Sequence, residues 1–242
     1  MKRFKMMKHW VWAVFFPLGL AAVSTSSQAF QGPGSVTLSR GKTTLTFSPE
    51  FFNLFPTLGA TLGGYGKANF KGTLNKQNQR ITFPIASGTL NPSRQQIPFY
   101  EFGHQGGLTM NRADGTLNVI FNNPSLRSSS NCLTPAPGSQ CLELGATLIA
   151  NGTVYGNVPN FAQSISLDGF QLKGNDVKID NVSLFLTQEG ADAMNLFFKL
   201  TQGGLVFFNK GSAFGTMNVN GTGYKVVCPP NTDYNRNRQE CR

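Results

Sequence analysis

The sequence predicts an all-β protein, a single-domain β-sandwich or flattened barrel that carries two short helices. Short runs of alternating apolar and polar residues recur along the chain, and this period-2 alternation is typical of half-buried strands. Gly, Asn, Asp and Pro interrupt the runs at close intervals, as in sandwiches and barrels. Three of the 21 phenylalanines lie in residues 1–29, which leaves 18 to build a core in the rest of the chain.

Residues 1–29 have the composition of a secretory signal peptide. Basic residues at 2–8 precede an apolar segment at 10–23, and Ser27-Gln28-Ala29 provides a small-x-small cleavage pattern. A retained membrane anchor is the alternative, but Pro17 and an apolar segment shorter than about 20 residues disfavour it. We expect an exported protein, periplasmic, cell-surface or secreted, without an integral membrane segment after cleavage.

The remaining chain has no break in composition that would divide it into two folded units. We expect a β-rich domain over 30–227 and a polar, disulfide-closed tail over 228–242. Four of the 21 basic residues and none of the 11 acidic residues belong to the leader, so the mature net charge is 17 − 11 = +6. These charges are scattered singly along the sequence, and only 236–242 is locally basic. Nucleic-acid binding is therefore not expected.

The four cysteines form two close pairs, Cys132 with Cys141 and Cys228 with Cys241. Four cysteines allow three connectivities, but each close pair encloses a Pro-containing polar loop that a local bridge would hold. A zinc site would need C-x2-C spacing or histidine partners, which are absent from the sequence. We therefore predict structural disulfides in an oxidising compartment and no metal site.

Turn chemistry defines the predicted strands. Asn-Gly at 151–152 is the strongest hairpin signal, and Asp114-Gly115, Asp168-Gly169 and Gly174-Asn175 give similar signals. The predicted strands lie at 36–38, 43–47, 67–74, 81–85, 107–111, 116–121, 142–150, 153–158, 164–167, 170–173, 176–180 and 216–220 or onward to 227.

Two helices interrupt this pattern. Ser48-Pro49-Glu50 combines an N-cap, a proline at the first helical position and an acidic first turn, and FFNLF follows. A second helix is expected over about 189–199, after a strand rich in β-branched residues. Its predicted apolar face is formed by Ala193, Leu196, Phe197 and Leu200.

Catalytic motifs are scarce. A hydrolytic triad needs a histidine, and His104 is the only one outside the leader. The sequence lacks G-x-S-x-G, H-E-x-x-H and a Gly-rich phosphate loop. Of the seven carboxylates at positions 101, 114, 168, 176, 180, 189 and 192, five stand beside Gly or Asn, where Asp commonly forms turns. We predict that the protein is not an enzyme and has no catalytic residues.

The stretch 83–126 holds the ligand-binding candidates. His104 lies among Gly103, Gly106 and Gly107, where a backbone approaches a partner closely, and Tyr100 precedes it by four residues. An imidazole and a phenol among phenylalanines suit a flat apolar cofactor such as haem. The alternative is a histidine that only hydrogen-bonds within a turn. Tyr65, in a Gly-rich loop, is the third candidate, with a packing role as its alternative.

Several short motifs carry a family resemblance over roughly residues 36–220. They are the strand-to-helix opening, FPI-x-x-GTLNP at 83–92, GH-x-GGL at 103–108, NP-x-L at 123–126 and LT-x-EGADAMNLFF at 186–198. The chain resembles exported bacterial proteins related to the HtaA-type haem-uptake domain, many of which have no assigned function. The resemblance implies a β-rich, non-enzymatic surface or secreted domain.

In the haem-binding members a tyrosine on the first helix ligates iron and the GH-x-G histidine supports it. His104 matches that histidine. The first helix here, FFNLFPTLG, has no tyrosine, so Tyr65 is the candidate replacement.

The predicted function is an exported, non-enzymatic binding protein of the cell envelope or extracellular space, with haem or another apolar small molecule as ligand. The alternative is a structural or adhesive surface protein that contacts a cell-surface component and takes no small-molecule ligand.

Overall fold

A computed structural model describes residues 35–38, 40–72, 79–91, 99–133, 141–165, 170–173, 176–202, 207–222, 225–228, 233–235 and 240–241. Strands dominate, at 66 % of the structure. The strands are β1 (Ser35–Leu38), β2 (Arg40–Phe47), β3 (Ala60–Tyr65), β4 (Asn69–Lys71), β5 (Arg80–Asn91), β6 (Phe99–His104), β7 (Gly107–Arg112), β8 (Asn118–Ser129), β9 (Cys141–Ala150), β10 (Thr153–Ser164), β11 (Phe170–Lys173), β12 (Asp176–Leu186), β13 (Ala213–Thr222), β14 (Lys225–Val227), β15 (Tyr234–Asn235) and β16 (Glu240–Cys241). The helices are α1 (Pro49–Thr57) and α2 (Gln188–Gln202).

Eight strands close into an antiparallel barrel, which confirms the predicted all-β class as a barrel rather than a sandwich. The order around the ring is β5, β2, β13, β12, β10, β9, β8 and β6. β6 completes the ring because it pairs with β5 along one edge and with β8 along the other. Closure leaves the ring itself without free edges.

The other long-sheet strands extend this wall. β7 and β3 continue outward from β8, β4 lies beside β5, and β1 joins β5 to β14. β11 pairs with β12. In the tail, β15 and β16 form a separate two-stranded hairpin.

Alternation along the strands sorts side chains between the interior and the outer face. On β2, Thr43, Leu45 and Phe47 are buried, whereas Lys42 and Thr44 are more exposed. Phenylalanines supply much of the interior, as predicted. The Phe214 ring lies 4.8 Å from Phe51 and 5.3 Å from Phe161, edge-on to both, which is a favoured geometry for aromatic pairs.

Helix α1 begins where the sequence predicts. The Phe51 amide donates to the Ser48 hydroxyl at 3.1 Å, and that hydroxyl donates to the Ala213 carbonyl at 2.8 Å, so one side chain caps the helix and anchors it to β13. Three phenylalanines of α1, Phe51, Phe52 and Phe55, face the core.

Helix α2 is longer than predicted and presents a different face. Ala191, Met194 and Phe197 are buried, whereas Leu196 is 47 % exposed, so the prediction for Leu196 was wrong. A Cβ on Gly190 would lie 1.8 Å from the Phe161 carbonyl oxygen. This close approach of the helix to β10 turns the Gly190 side of α2 inward and Leu196 outward. The side chain of Leu200 lies outside the described part of the chain.

The predicted Cys132–Cys141 disulfide is present, with Cα atoms 5.7 Å apart, and it joins the residues after β8 to the start of β9. Cys228 is also disulfide-bonded. The side chain of its predicted partner, Cys241, lies outside the described part. Neither described helix has the length and apolar character needed to cross a membrane.

Gly190→Ala separates backbone packing from helix propensity. Alanine is favoured over glycine in a helix by about 1 kcal/mol, yet the clash with the Phe161 carbonyl should cost more, so we expect a net loss of about 2 kcal/mol in the free energy of unfolding. Urea unfolding measures this loss. Ala193→Gly is the control, with an expected loss of about 1–2 kcal/mol from lower helix propensity and from the lost contact of its half-buried methyl group with the core. A more stable Gly190→Ala variant would contradict the close approach.

Candidate functional site

His104 is the last residue of β6 and is buried, with 4 % of its surface exposed. Its Nδ1 lies 2.8 Å from the Pro124 carbonyl oxygen, and its Nε2 lies 2.6 Å from the Thr43 hydroxyl. A carbonyl oxygen only accepts, so Nδ1 carries the proton and donates to Pro124. In the neutral ring Nε2 then accepts from the Thr43 hydroxyl. The imidazole thus joins β2, β6 and β8 across the barrel.

Burial lowers the pKa of His104 from its usual 6.5 to about 4, and the hydrogen bond to Pro124 opposes this shift only in part. The ring is therefore neutral at pH 7. Both nitrogens are occupied, so His104 binds an iron atom only if one of these hydrogen bonds is broken. The arrangement is that of a structural tie between strands.

A β-bulge at Asn123 and Pro124 brings the chain to His104. The β8 register shifts between Asn122 and Ser125, and Asn123 has a positive φ of 46°. The Asn123 amide donates to the Gly106 carbonyl at 2.7 Å, and the Gly106 amide donates to the Asn123 side-chain oxygen at 3.2 Å. The NP-x-L and GH-x-GGL motifs therefore contact each other directly through these two hydrogen bonds. Bulges of this kind commonly lie beside functional sites.

The Gly106 backbone also packs directly against the turn that follows Tyr65. This turn is closed by a 3.2 Å hydrogen bond from the Ala68 amide to the Tyr65 carbonyl. A Cβ on Gly106 would lie 2.5 Å from each of these two atoms, and its φ is +86°. Only glycine meets both conditions. The GH-x-GGL segment thus sets the position of Tyr65 through backbone contact.

Tyr65 and His104 face different surroundings. Tyr65 pairs with Gly107, three residues after His104, so the two backbones are near each other. The Tyr65 side chain is 43 % exposed at the end of β3, however, whereas His104 points into the barrel. The structure brings the two candidates to one region but not into a shared pocket. Tyr100 of β6 pairs with Leu90 of β5, and the side chain of Tyr100 lies outside the described part of the chain.

A row of residues that are paired across neighbouring strands lies beside Tyr65, and we call it the Tyr65 platform. Gly63 shares a face with Tyr65 because it lies two residues before it on the same strand. The register then runs across the sheet from Gly63 to Thr109, Ile120, Ile149 and Val154. The platform therefore consists of Gly63, Tyr65, Thr109, Ile120, Ile149 and Val154. Ile120 and Ile149 are half-buried, and Val154 is exposed.

The barrel interior beside His104 contains a small apolar cavity of about 20 Å³. Phe83 and Pro124, which contact His104, are part of its wall. The other lining residues are Leu45, Leu108, Phe121, Leu144, Ala146, Phe161 and Phe214. A cavity of this size holds about one water-sized guest, whereas sites for drug-sized ligands occupy about 300–1,000 Å³. The phenylalanine-lined interior is thus packed core.

The carboxylates that the structure describes have local roles. Asp114 accepts from the amide and hydroxyl of Thr116 and pairs with Arg112 at 2.9 Å. These hydrogen bonds, with a smaller effect of Arg112, hold its pKa below the usual value. Glu143 pairs with Arg127 at 2.8 Å. Within the described residues, no three His, Cys, Asp or Glu side chains form a metal-binding group.

Thr43, the partner of His104, was missed from the sequence. The signal was present, because Thr43 occupies the same inward register as Leu45 and Phe47. A polar side chain at an inward position needs a buried hydrogen-bond partner. The platform residues were also missed, since their alignment depends on strand register.

No protein-family model matches the sequence, and no curated protein matches it. Among solved structures, the C-terminal domain of HtaA from Corynebacterium glutamicum is similar, with a TM-score of 0.52 and 16 % identity, over 77 % of this chain and 98 % of that one. The fold is HtaA-like. A domain-swapped dimeric variant of that domain aligns with a TM-score of 0.47 and 15 % identity over 72 % of this chain and 90 % of that one. The predicted resemblance is supported at the level of the fold.

The buried His104 should make stability depend on pH. Its folded pKa of about 4 is below the unfolded 6.5, so its stabilising contribution is complete above 6.5 and is lost as the pH falls toward 4. Between pH 7.5 and 4.5 we expect the free energy of unfolding of the wild type to fall by about 2–3 kcal/mol more than that of His104→Gln. Urea unfolding at both pH values measures the difference.

The carboxylates titrate in both proteins, so comparison of the two isolates the histidine. If His104→Gln lacks a stable fold, the wild-type His104 ring signals, followed by NMR against pH, give the pKa directly. A midpoint near 6.5 would contradict the buried, neutral ring.

Gly106→Ala should show that Gly106 contacts the Tyr65 turn. Gly115 also has a positive φ, +72°, but has nothing within 4 Å of an added Cβ. The two substitutions thus share the backbone strain and differ in the contact. We expect Gly106→Ala to cost about 1–3 kcal/mol more in the free energy of unfolding than Gly115→Ala. Equal losses by urea unfolding would count against the contact.

Proposed function

We propose that this chain is an exported, non-enzymatic binding module of the cell envelope or extracellular space, and that it takes haem or another flat apolar ligand on the Tyr65 platform. The observation that carries the proposal is an exposed tyrosine beside a cross-strand row of glycine, threonine and branched aliphatic residues. The HtaA-like fold supports the same class of function.

The outer face is a better binding surface than the interior. The interior cavity of about 20 Å³ has no room for a planar macrocycle. On the platform, Gly63 adds no side chain next to Tyr65, the Thr109 methyl group packs over Gly63, and Ile120 and Ile149 offer further apolar contact. A planar apolar ligand that lies against this strip buries its face while its edge stays in water.

Tyr65 is the residue that fits an axial ligand for haem iron. Tyrosine is one of the side chains that hold haem iron in proteins. Tyr65 is exposed, whereas both nitrogens of His104 are engaged within the barrel. His104 then acts as a positioning residue, because it holds the bulge and the Gly106 turn that carry Tyr65. Helix α1 has no tyrosine, so Tyr65 takes the role that a helix tyrosine has in the haem-binding members.

Export is supported by two features. Residues 1–29 have the pattern of a cleavable leader. The Cys132–Cys141 bridge suits an oxidising compartment, where such bonds persist.

A haemin titration of the purified chain, expressed with its own leader, tests the proposal. We expect a saturable Soret change in the wild type and loss of the tyrosinate-iron bands in Tyr65→Phe. Tyr155→Phe is the matched control, because Tyr155 is also exposed, at 61 %, and lies outside the platform. It should bind haemin as the wild type does.

Metal-free protoporphyrin separates the platform from the iron ligand. Ile120→Ser should weaken binding of both haemin and protoporphyrin, whereas Tyr65→Phe should weaken haemin selectively. If neither compound gives a saturable spectrum, the platform proposal is wrong, and the structural or adhesive role becomes the better description of this barrel.

A further inference from the structure

Three basic side chains meet on the outer face of the barrel, although they are far apart in sequence. Lys42 lies on β2, Lys71 on β4 and Arg80 on β5. Together with Thr44, Asn69 and Thr82 they line a cleft of about 320 Å³. That volume is in the range of small-molecule sites.

Strand register explains the geometry of this basic cleft. Thr82 on β5 pairs with Thr44 on one side and with Asn69 on the other. The two threonine hydroxyls lie 3.2 Å apart, so one donates to the other and the second keeps its proton for a ligand. The floor of the cleft therefore offers a hydroxyl and an amide below three cations.

Two of the three cations in the cleft repel each other and thereby destabilise the sheet. Lys71 and Arg80 are directly opposite each other in the β4–β5 pairing, and like charges in that position destabilise a sheet. Among the described side chains, the ion pairs join Arg112 to Asp114, Arg127 to Glu143 and Lys178 to Asp180, all outside the cleft. A bound anion would relieve the repulsion.

The sequence around the cleft is almost free of acidic residues. Residues 30–100 carry seven Lys and Arg and one acidic residue, Glu50, whereas residues 101–242 carry ten of each sign. The whole mature excess of +6 therefore lies in the segment that forms β2, β4 and β5. Three of these cations, Lys42, Lys71 and Arg80, line the cleft without an acidic residue among the lining side chains, which raises the local concentration of anions there.

We propose that the basic cleft binds a phosphate group, as the free anion or as a phosphate monoester. A monoester carries a charge of about −1.5 to −2 and several strong acceptor oxygens. Such an anion matches three cations, a hydroxyl and an amide better than a monoanionic carboxylate does. The cleft lining has no aromatic side chain on which a base would stack. The proposed site is separate from the Tyr65 platform and extends beyond the function proposed above.

The basic cleft lies on the outer face of the same strands, β2 and β5, whose inward side chains contact His104. Lys42 and Thr44 face outward on either side of Thr43, whose hydroxyl bonds His104 inside the barrel. Thr82 and Phe83 alternate in the same way on β5, where Phe83 packs against His104 inside. The cleft is therefore built on two strands that a buried side chain already holds in place.

Calorimetric titration with inorganic phosphate, glycerol phosphate, sulfate and acetate tests the proposal on the purified full chain. We expect saturable phosphate binding, weaker in higher NaCl, with acetate at least about tenfold weaker because it carries one charge. Tighter binding of glycerol phosphate would identify an ester as the ligand, and tighter binding of inorganic phosphate would identify the free anion. Either result supports the site.

Two matched double variants locate the binding. Lys71→Gln with Arg80→Gln should lower phosphate affinity by about tenfold or more, since it removes two charge-assisted contacts. Lys178→Gln with Lys210→Gln removes the same charge from other exposed positions and should change affinity less than about twofold. Equal losses in both variants, or a phosphate response that does not saturate, would overturn the site. The haemin spectrum should be unchanged in either variant, so the two proposals fail separately.

Lys71→Glu keeps the test independent of folding defects. The new carboxylate would face Arg80 across the strands and replace repulsion by attraction. We expect the melting temperature to rise by about 1–4 °C while phosphate binding is lost. A variant that is more stable and still binds phosphate as the wild type does would refute the site.

Discussion

A single neutral imidazole holds together the strands on which the barrel depends. β6 completes the ring, and His104 at its end donates to Pro124 of β8 and accepts from Thr43 of β2. Burial lowers the pKa of the His104 ring. Both ring nitrogens are nevertheless hydrogen-bonded, because the Thr43 hydroxyl donates to one and the Pro124 carbonyl accepts from the other. Pro124 lies in the β8 bulge, and the neighbouring Asn123 in the same bulge bonds the backbone of Gly106.

Backbone contacts connect the region around the buried His104 to the Tyr65 turn at the surface. Gly106 touches the Tyr65 turn with no side chain between them, so the conformation of one loop fixes the other. The platform and the basic cleft both lie on paired strands rather than on long loops. A rigid sheet surface binds a flat or compact ligand without the cost of ordering a loop.

Local chemistry was readable from the sequence, whereas assembly was not. Ser48-Pro49-Glu50 starts α1 as predicted, because an N-cap acts within one turn of helix. Asn151 and Gly152 both adopt positive φ between β9 and β10, as an Asn-Gly hairpin requires. Ring closure by β6, in contrast, depends on pairings with β5 and β8 together, and no local pattern encodes both.

The same limit applies to the two proposed binding surfaces. Lys42, Lys71 and Arg80 look like isolated charges in the sequence and meet only because β5 pairs with β2 on one side and β4 on the other. Leu196 was assigned to the wrong helix face because the approach of Gly190 to β10 is a tertiary contact. His104 was singled out as a candidate because a lone histidine among glycines is visible without any structure, but its two hydrogen-bond partners, Thr43 and Pro124, depend on the fold.

The pairing of β2 with β13 has a consequence for how the chain folds. Phe47 of β2 pairs with Gly215 of β13, so β2 can form this pairing only after the much later strand β13 is available. Barrels dominated by such distant pairings form slowly, since a long loop must close before the contacts stabilise it. A chain emerging from the ribosome amino-terminus first cannot complete this barrel until β13 has been synthesised. Late completion of the barrel suits the export that we propose, because the chain stays unfolded until β13 is available.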